Sequence, residues 1–443
     1  MKSILDLRAA QQGREIEQGN LDPVVLTQAY LDAAEDHPET HRIFTMLTPK
    51  RALAEARAAQ TRARSGQRLS PLDGVPISWK DLFDTAGHAT EAGSALLRGR
   101  TPKRDAQVLR NASAMGLVCI GKTHMSELAF SGLGLNPVTQ SPACINDPAA
   151  VSGGSSSGAA ASVAFGLAAA AIGSDTGGSV RIPAAWNDLV GLKTTIGALP
   201  MGGVVPLCAR FDSIGPLTKS VEDAALLFAA LRGQNAFDLK GSHLHGKRLA
   251  VLQTAAFEDL RDAPRRGFEQ ALARLAEAGA VIEKVEIPAV SDALPLSPIL
   301  YTCEAYGTWK DVIEAQPDLM FDEILKRFRV GAEFTTADYV SAWHTLDALR
   351  QSYAEKSARY DAVLCPTAPI LPPNAQRLLS DENYYVTENL LALRNTRIGN
   401  LLGLCAVTLP TGMPSCGIML MAAPDQEERL LRLSLASEVA LNS

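Results

Sequence analysis

The first third of the chain carries apolar residues at helical intervals, and each run is bounded by residues that start or stop helices. Residues 4–18 form the first run, which closes at Gly19. The second run starts with Asp22 in the N-cap position and Pro23 at the first helical position, which favours a helix start. Two further elements are predicted before residue 70, a strand at 42–46 and a helix at 48–63. The pattern predicts an outer layer of packed helices without chemistry of its own.

From residue 72 onward, short apolar runs typical of strands alternate with helical patterns. The predicted strands lie at 72–80, 117–120, 247–252, 281–287 and 361–365, and the predicted helices at 105–115, 220–231 and 264–278. Residues 289–360 are mainly helical in pattern, and a last helix is expected from residue 425. Because no glycine-rich linker interrupts the alternation, we expect an α/β fold built on one continuous sheet.

Small residues dominate the segment 152–183, which contains two glycine-serine loops separated by a helix and a strand. The helix should end at Gly166, and the strand should cover residues 167–173. Glycine pairs in such loops let consecutive backbone N–H groups point at one anion, either a phosphate or a developing oxyanion. The segment lacks the Gly-Lys-Ser/Thr of a P-loop and the G-x-G-x-x-G of a dinucleotide fold, which disfavours a nucleotide site.

Composition narrows the class of protein. The chain of 443 residues is 47% hydrophobic but only 5% aromatic, which favours closely packed helices on a sheet. A net charge of −6 offers no broad basic field, so no nucleic-acid partner is expected. Charges interrupt the apolar runs of the first 19 residues, and no run reaches the roughly 18 apolar residues of a membrane span. We therefore expect a cytoplasmic protein without membrane contact.

Cysteine and histidine spacing predicts neither a disulfide framework nor a metal site. The seven cysteines are scattered and never form C-x-x-C. The seven histidines form no metal-ligand pattern; His243 and His245 alternate in SHLHG, where a solvated loop is favoured over a zinc site.

The small-residue segment resembles the signature of the amidase signature family. The motifs stand here as GGSSSGA, GSDTGGSVRIPA and GLKTT, and the segment 152–183 is the signature core of the resemblance. The family's catalytic lysine, bridging serine and nucleophilic serine correspond to Lys80, in GVPISWKD, to Ser155 and to Ser179. The two serines are 24 positions apart, as in the family. Further similar runs, GKTHMSEL and the closing strands, extend the resemblance over nearly the whole chain.

The resemblance implies a fold and a reaction. It implies that residues 1–443 form a single three-layer domain, a large mixed sheet covered by helices on both faces. It also implies a hydrolase of non-peptide amide bonds that works through a serine acyl-enzyme, with a cis Gly154–Ser155 peptide and no metal or organic cofactor. Residues 289–360 match least and would be the variable region on the substrate side.

The residues themselves agree with lysine-dependent chemistry. A serine hydroxyl needs a base within hydrogen-bond reach, and no Ser-His-Asp arrangement or G-x-S-x-G elbow is visible around Ser179. At a reference pKa near 10.4, only about one lysine in 2,500 is neutral at pH 7, so burial must lower the pKa of Lys80. Asp175 and Arg181 are expected to pair and to fix the loop. The candidates for the oxyanion hole are the backbone N–H groups of Thr176, Gly177, Gly178 and Ser179.

Substrate contacts are less defined by the sequence. His124 and Met125 lie in GKTHMSEL, where His124 could contact substrate or make a structural hydrogen bond. Tyr301 belongs to an aromatic stripe that could face substrate or pack between helices. Arg394 and Arg397 lie near a region that approaches the acyl pocket in the family, which allows a carboxylate-bearing or ureido substrate, or they could be salt-bridged on a helix face.

Three functions remain open at this point. The first is a stand-alone amidase acting on a small-molecule amide. The second is the glutaminase subunit of a tRNA-dependent amidotransferase, which works in a complex and passes ammonia to a partner. The third is a binding scaffold without activity, which the presence of all three catalytic positions disfavours. Homodimers are common in the family, so a homodimer is possible.

Overall fold

The structure, a computed structural model, describes residues 4–253 and 255–443. Its centre is a mixed sheet of eleven strands in the order β1-β3-β2-β6-β8-β7-β12-β13-β11-β9-β10, and β4 and β5 form a separate hairpin. The strands are β1 (Phe44–Leu47), β2 (Pro76–Lys80), β3 (Val118–Thr123), β4 (Ala143–Cys144), β5 (Asp147–Val151), β6 (Ala170–Asp175), β7 (Val190–Lys193), β8 (Ser213–Thr218), β9 (Arg248–Leu252), β10 (Val281–Val285), β11 (Ala362–Pro366), β12 (Cys405–Pro410) and β13 (Gly417–Ala422). The expected single α/β domain with one large mixed sheet is confirmed.

Helices connect most of these strands. Within the described residues the α-helices are α1 (Ala9–Glu17), α2 (Pro23–Asp36), α3 (Thr40–Ile43), α4 (Pro49–Arg64), α5 (Gln107–Ala114), α6 (Ser157–Ala164), α7 (Arg181–Trp186), α8 (Val221–Arg232), α9 (Asp262–Glu277), α10 (Pro288–Ala293), α11 (Ser297–Ala315), α12 (Asp322–Arg329), α13 (Thr336–Ser357), α14 (Ala375–Ser380), α15 (Glu382–Leu401) and α16 (Glu427–Leu441). None of them is long and apolar enough to cross a membrane.

Strand β6 shows that both faces of the sheet are covered. Its residues Ala170 and Ile172 belong to the main hydrophobic core, whereas Ala171 between them packs with side chains of α6 and α7 in a separate cluster. Successive side chains of a strand point to opposite faces, so the two clusters lie on opposite sides of the sheet. Helix α6 lies close against buried strands, which leaves room only for small side chains. The signature segment is therefore rich in alanine.

The direction of the central strands determines where chemistry is possible. β2 runs parallel to β3 and to β6, with Trp79 opposite Ile172. The carboxyl ends of β2 and β6 therefore meet at the same edge of the sheet, where ligands bind in open α/β sheets. Lys80 is the last residue of β2 and Asp175 is the last residue of β6.

Most predicted elements are present, and the differences have local causes. The Asp22 and Ser220 N-caps are confirmed, since Asp22 Oδ1 accepts from the Val24 N–H and Ser220 Oγ accepts from the Asp223 N–H. The strand predicted from residue 167 begins at Ala170, because a turn follows the left-handed Gly166. The second signature loop continues into helix α7, which the sequence pattern did not predict.

Candidate active site

Lys80 lies fully buried at the carboxyl end of β2. Its ammonium nitrogen Nζ donates to Ser155 Oγ at 2.7 Å and to Ser174 Oγ at 2.8 Å. Burial lowers the pKa of Lys80 to about 7, although the negative charges of Asp175 and Asp212 oppose the shift. A substantial fraction of this lysine is therefore neutral near pH 7 and able to accept a proton.

Ser155 is held by the first signature loop. The Gly154–Ser155 peptide bond is cis. The Ser155 carbonyl accepts from the Ser126 N–H at 3.1 Å. A Cβ atom at Gly154 would lie 2.5 Å from the backbone nitrogen of Gly134, so a side chain does not fit there. The next residue, Ser156, donates its N–H to the Ser179 carbonyl at 3.2 Å, and this bond ties the Ser155 loop directly to the Ser179 loop.

The loop that carries Ser179 is fixed by a buried ion pair. Arg181 Nη2 and Nε donate to the two carboxylate oxygens of Asp175 at 2.8 and 3.0 Å, and both side chains are fully buried. Asp175 also accepts the N–H groups of Gly178 and Val180 at 2.9 and 3.1 Å. Burial would raise the pKa of Asp175, but the charge and hydrogen bonds of Arg181 hold it well below its usual range. The expected pairing of Asp175 with Arg181 is thus present in the structure.

Helix α15 supports the same loop from the other side. Thr396 Oγ1 donates to the Gly177 carbonyl at 2.7 Å, and Asn400 Nδ2 donates to Asp175 Oδ1 at 2.9 Å. A Cβ atom at Gly178 would lie 2.1 Å from Thr396 Oγ1, which explains the glycine at that position.

A small cavity of about 20 Å³ lies in front of Ser179. The described residues that line it are Ala129, Phe130, Ser131, Thr176, Gly177, Ser179, Leu207, Tyr301, Arg327, Leu393 and Arg397. Three of the four expected oxyanion residues, Thr176, Gly177 and Ser179, are among them. Gly178 differs from expectation, because its N–H already donates to Asp175 and it does not line the cavity.

The five expected substrate contacts divide into two groups. Tyr301 and Arg397 line the cavity beside Ser179. Arg394 does not line it, because its guanidinium donates to the Ala256 carbonyl and to Asn395 Oδ1 instead.

The His124 and Met125 side chains are also outside the lining. Their carbonyl groups are structural acceptors, from the Gly158 N–H and from Asn136 Nδ2 respectively. A structural role for His124 therefore fits better than a substrate contact.

Several site residues were not singled out by sequence reasoning. Ser174 accepts from Lys80, and Asp212 accepts from Thr176 Oγ1 at 2.5 Å. Arg327 reaches the cavity from α12. Ser174 had a usable signal, because it lies within GSDTGGS next to the end of a strand that points at the site. Asp212 and Arg327 had none, because their bonds to the site, with Thr176 and Phe130, join segments 36 and 197 positions apart in the chain.

Among the described residues, no group of three His, Cys, Asp or Glu side chains is arranged to hold a metal ion. The site is instead built from a low-pKa amine, hydroxyl groups and backbone N–H donors. Such a set can move protons between oxygen and nitrogen and can stabilise an oxyanion.

Comparison with known proteins agrees with this geometry. The family model described as Amidase matches residues 25–431. The chain belongs to the Amidase family. As a member of this family it is a hydrolase acting on carbon–nitrogen bonds, and the resemblance to the amidase signature is confirmed.

Two relatives illustrate the range of the Amidase family around this chain. It is 34% identical to the 2-amino-5-chloromuconic acid deaminase of Comamonas testosteroni, over 88% of this chain and 87% of that protein. It is also 30% identical to a glutamyl-tRNA(Gln) amidotransferase subunit of Chloroflexus aurantiacus, over 97% of this chain and 95% of that protein.

A solved structure has the same fold as this Amidase family member. The peptide amidase of Stenotrophomonas maltophilia superimposes with a TM-score of 0.82 at 27% identity, over 99% of this chain and 97% of that chain.

Proposed function

We propose that this protein hydrolyses a small amide through an acyl-enzyme on Ser179, with Lys80 as the base and Ser155 as the proton relay. The observation that carries the proposal is the 2.7 Å hydrogen bond between Lys80 Nζ and Ser155 Oγ, in a loop bonded to the Ser179 backbone. The lowered pKa of Lys80 supports its role as a base, because only the neutral amine accepts a proton.

The reaction proceeds in two halves. Ser179 Oγ attacks the amide carbonyl carbon while its proton passes to Ser155 Oγ, and the Ser155 proton passes to Lys80 Nζ. The backbone N–H groups of Thr176, Gly177 and Ser179 stabilise the oxyanion. The C–N bond then breaks, and the nitrogen leaves with the proton returned from Lys80 through Ser155. Water attacks the acyl-enzyme by the same route and releases the carboxylate and Ser179.

The experiment is a comparison of ammonia release by variants. We expect Lys80→Met, Ser155→Ala and Ser179→Ala each to lower kcat by about 10⁴-fold or more, as when members of a serine triad are removed. Ser162→Ala is the matched control, because Ser162 bonds to Ser78 Oγ at 2.8 Å and lies outside the cavity lining. Full turnover by the three variants on an amide that the parent cleaves would contradict the proposal.

The pH profile gives an independent test of the base. The neutral form of Lys80 is the active form, so kcat/KM should fall as the pH drops through about 7. A profile that stays flat down to pH 5 would contradict a base with the pKa of Lys80.

The second candidate is the glutaminase subunit of an amidotransferase, which the similarity to the Chloroflexus subunit favours. A glutaminase of this kind should release ammonia from glutamine, and its turnover should rise when partner subunits are added. A stand-alone amidase should cleave other amides without a partner.

A further inference from the structure

Two arginines beside Ser179 lack an acidic partner. Arg397 on α15 and Arg327 on α12 both line the cavity in front of Ser179. Within residues 4–253 and 255–443, no acidic side chain lies within the 4.0 Å salt-bridge distance of either guanidinium. Arg327 Nη1 donates to the Phe130 carbonyl at 2.9 Å, and its guanidinium lies 4.3 Å from the centre of the Phe130 ring. These neighbours orient Arg327 but do not neutralise it.

The two charges also repel each other. The charge of Arg397 adds to burial in lowering the pKa of Arg327 to about 9, and burial lowers the pKa of Arg397. Arg327 therefore stays cationic at neutral pH. Arg397 is 9% exposed and lies 6.0 Å from the centre of the Tyr301 ring. Two neighbouring cations, one buried and one half-buried, are a costly arrangement unless an anion joins them.

The arginines lie where two cavities meet. An outer cavity of about 280 Å³ shares Tyr301, Arg327 and Arg397 with the inner cavity of about 20 Å³. The inner cavity has room for roughly one water molecule, so the part of the substrate beyond the reacting carbonyl must extend toward the outer cavity. Any charged group that follows the carboxamide by a few bonds must lie between the two arginines and the outer cavity.

Among the residues that line these two cavities, the acidic ones belong to the outer cavity. Glu323 and Glu382 line it, and both pair with Lys326, at 3.4 and 2.8 Å. No Asp or Glu is among the residues that line the inner cavity. The lining of the inner cavity thus offers cationic donors to a substrate and no carboxylate to pair with a second, positive group.

We infer that Arg327 and Arg397 bind a carboxylate of the substrate, so that the substrate is an amic acid, the monoamide of a small dicarboxylic acid. This inference rests on the proposed hydrolysis at Ser179. The guanidinium groups can each donate two parallel hydrogen bonds to a carboxylate, which fixes its distance from the reacting carbonyl. Hydrolysis consumes one water and yields the dicarboxylate and ammonia.

The same geometry discriminates against glutamine. Glutamine is glutaramate, the five-carbon amic acid, with an added α-ammonium group. That ammonium would lie next to two guanidinium groups without an acidic partner in the inner cavity. We therefore expect glutaramate to be the better substrate of the pair, whereas a glutaminase subunit would prefer glutamine.

The test compares substrates that differ only in charge. Malonamate, succinamate and glutaramate are each compared with the neutral diamide of the same length, in which a carboxamide replaces the carboxylate. We expect kcat/KM of the best amic acid to exceed that of its diamide by about 100-fold, the size of a lost buried charge contact. Equal rates for each pair would overturn the inference.

Variants show whether the arginines cause this preference. Arg397→Met and Arg327→Met should each lower kcat/KM for the amic acid by about 100-fold and should lower it far less for the diamide, so that the preference for the amic acid is lost. Arg394→Met is the matched control on the same helix, because Arg394 bonds to Ala256 and Asn395 outside the cavity. Its preference should stay within about twofold of the parent. An unchanged preference in both cavity variants would also overturn the inference.

A binding experiment separates this inference from the proposed function. The Ser179→Ala variant is titrated with succinate and glutarate, the hydrolysis products, by calorimetry. If Ser179→Ala binds a dicarboxylate and Ser179→Ala/Arg397→Met does not, the carboxylate site is supported. This holds even if the parent hydrolyses no amide, and then only the proposed function is wrong. If the protein hydrolyses neutral amides, shows no preference for an amic acid over its diamide and binds no dicarboxylate, the proposed function is supported and the inference is wrong.

Discussion

Asp212 shows how one buried carboxylate influences both the geometry and the charge of the site. It accepts from Thr176 Oγ1 at 2.5 Å and from the Leu207 N–H at 2.9 Å, which connects the oxyanion loop to the wall of the cavity. Burial raises the pKa of Asp212 to about 6, so it is mostly ionised at pH 7. Its negative charge raises the pKa of Lys80 against the dominant effect of burial.

This coupling predicts a shift in the pH profile. Asp212→Asn removes the negative charge and should lower the pKa of Lys80 further. Because neutral Lys80 is the proposed base, the acidic limb of kcat/KM should move to lower pH. The midpoint of the limb is the quantity to measure, since lost hydrogen bonds to Thr176 will lower the plateau by themselves. A midpoint that moves upward or stays in place would contradict the coupling.

The control for this prediction is a second buried carboxylate. Asp223 has a pKa raised to about 6 by burial and accepts from the Ala10 N–H at 2.7 Å, in the packing between α1 and α8. Asp223→Asn also removes a buried charge, yet Asp223 is not among the carboxylates that raise the pKa of Lys80. It should leave the midpoint of the pH profile unchanged.

At the scale of residues, the sequence identified site residues that lie in a motif better than site residues that reach the site only through tertiary packing. Lys80, Ser155 and Ser179 could be singled out because each lies in a recognisable motif, and the structure brings their loops together. Arg327 lies in the run Lys326-Arg327-Phe328-Arg329, which is also typical of a solvated helix face. Only the packing of α12 on the site distinguishes Arg327 from the exposed Lys326 and Arg329, and the sequence does not encode that packing locally.

At the scale of elements, helix N-caps and glycines in the sequence indicated most directly where helices begin and end. The N-caps Asp22 and Ser220 act through hydrogen bonds to residues two or three positions away, so local sequence is sufficient to find them. Helix α7 was not predicted, although it follows the second signature loop directly. Pro183 lies at the third position of α7. A backbone N–H in the first turn of a helix has no partner within the helix, so a proline, which lacks this group, is tolerated there.

Two glycines should respond in opposite ways to the same substitution. Gly178 has a φ of +138°, and a Cβ atom there would lie 2.1 Å from Thr396 Oγ1. Gly178→Ala should therefore lower the free energy of unfolding by about 2 to 4 kcal/mol. Gly307 lies inside α11 with nothing within 4 Å of an added Cβ. Gly307→Ala should raise the free energy of unfolding by about 0.5 to 1 kcal/mol.

The midpoints of thermal unfolding measure this pair of effects. Gly178→Ala should also lower kcat, because the displaced Thr396 would release the Gly177 carbonyl that it now holds at 2.7 Å. Gly307→Ala should keep the kcat of the parent. A Gly178→Ala protein with the midpoint and turnover of the parent would contradict the tight fit between α15 and the signature loop.

At the scale of the whole molecule, the two halves of the chain share one sheet. β7, from the first half, pairs with β12, from the second half, with Val407 opposite Leu192. The last helix, α16, adds further links, since Glu427 Oε1 accepts from the Thr195 N–H and Glu438 Oε1 accepts from the Val221 N–H. Neither half therefore contains a complete core.

This interdependence predicts how the chain behaves when it is divided. The segment 233–241 between α8 and β9 is largely exposed, so a cut between Lys240 and Gly241 removes few contacts. Fragment 1–240 alone would leave the apolar strand β7 as an open edge, and we expect it to aggregate. Fragments 1–240 and 241–443 produced together should assemble through β7 and β12 and recover amide hydrolysis. Solubility and ammonia release measure the outcome. A soluble fragment 1–240 with a cooperative thermal transition of its own would show instead that the first half is a separate domain.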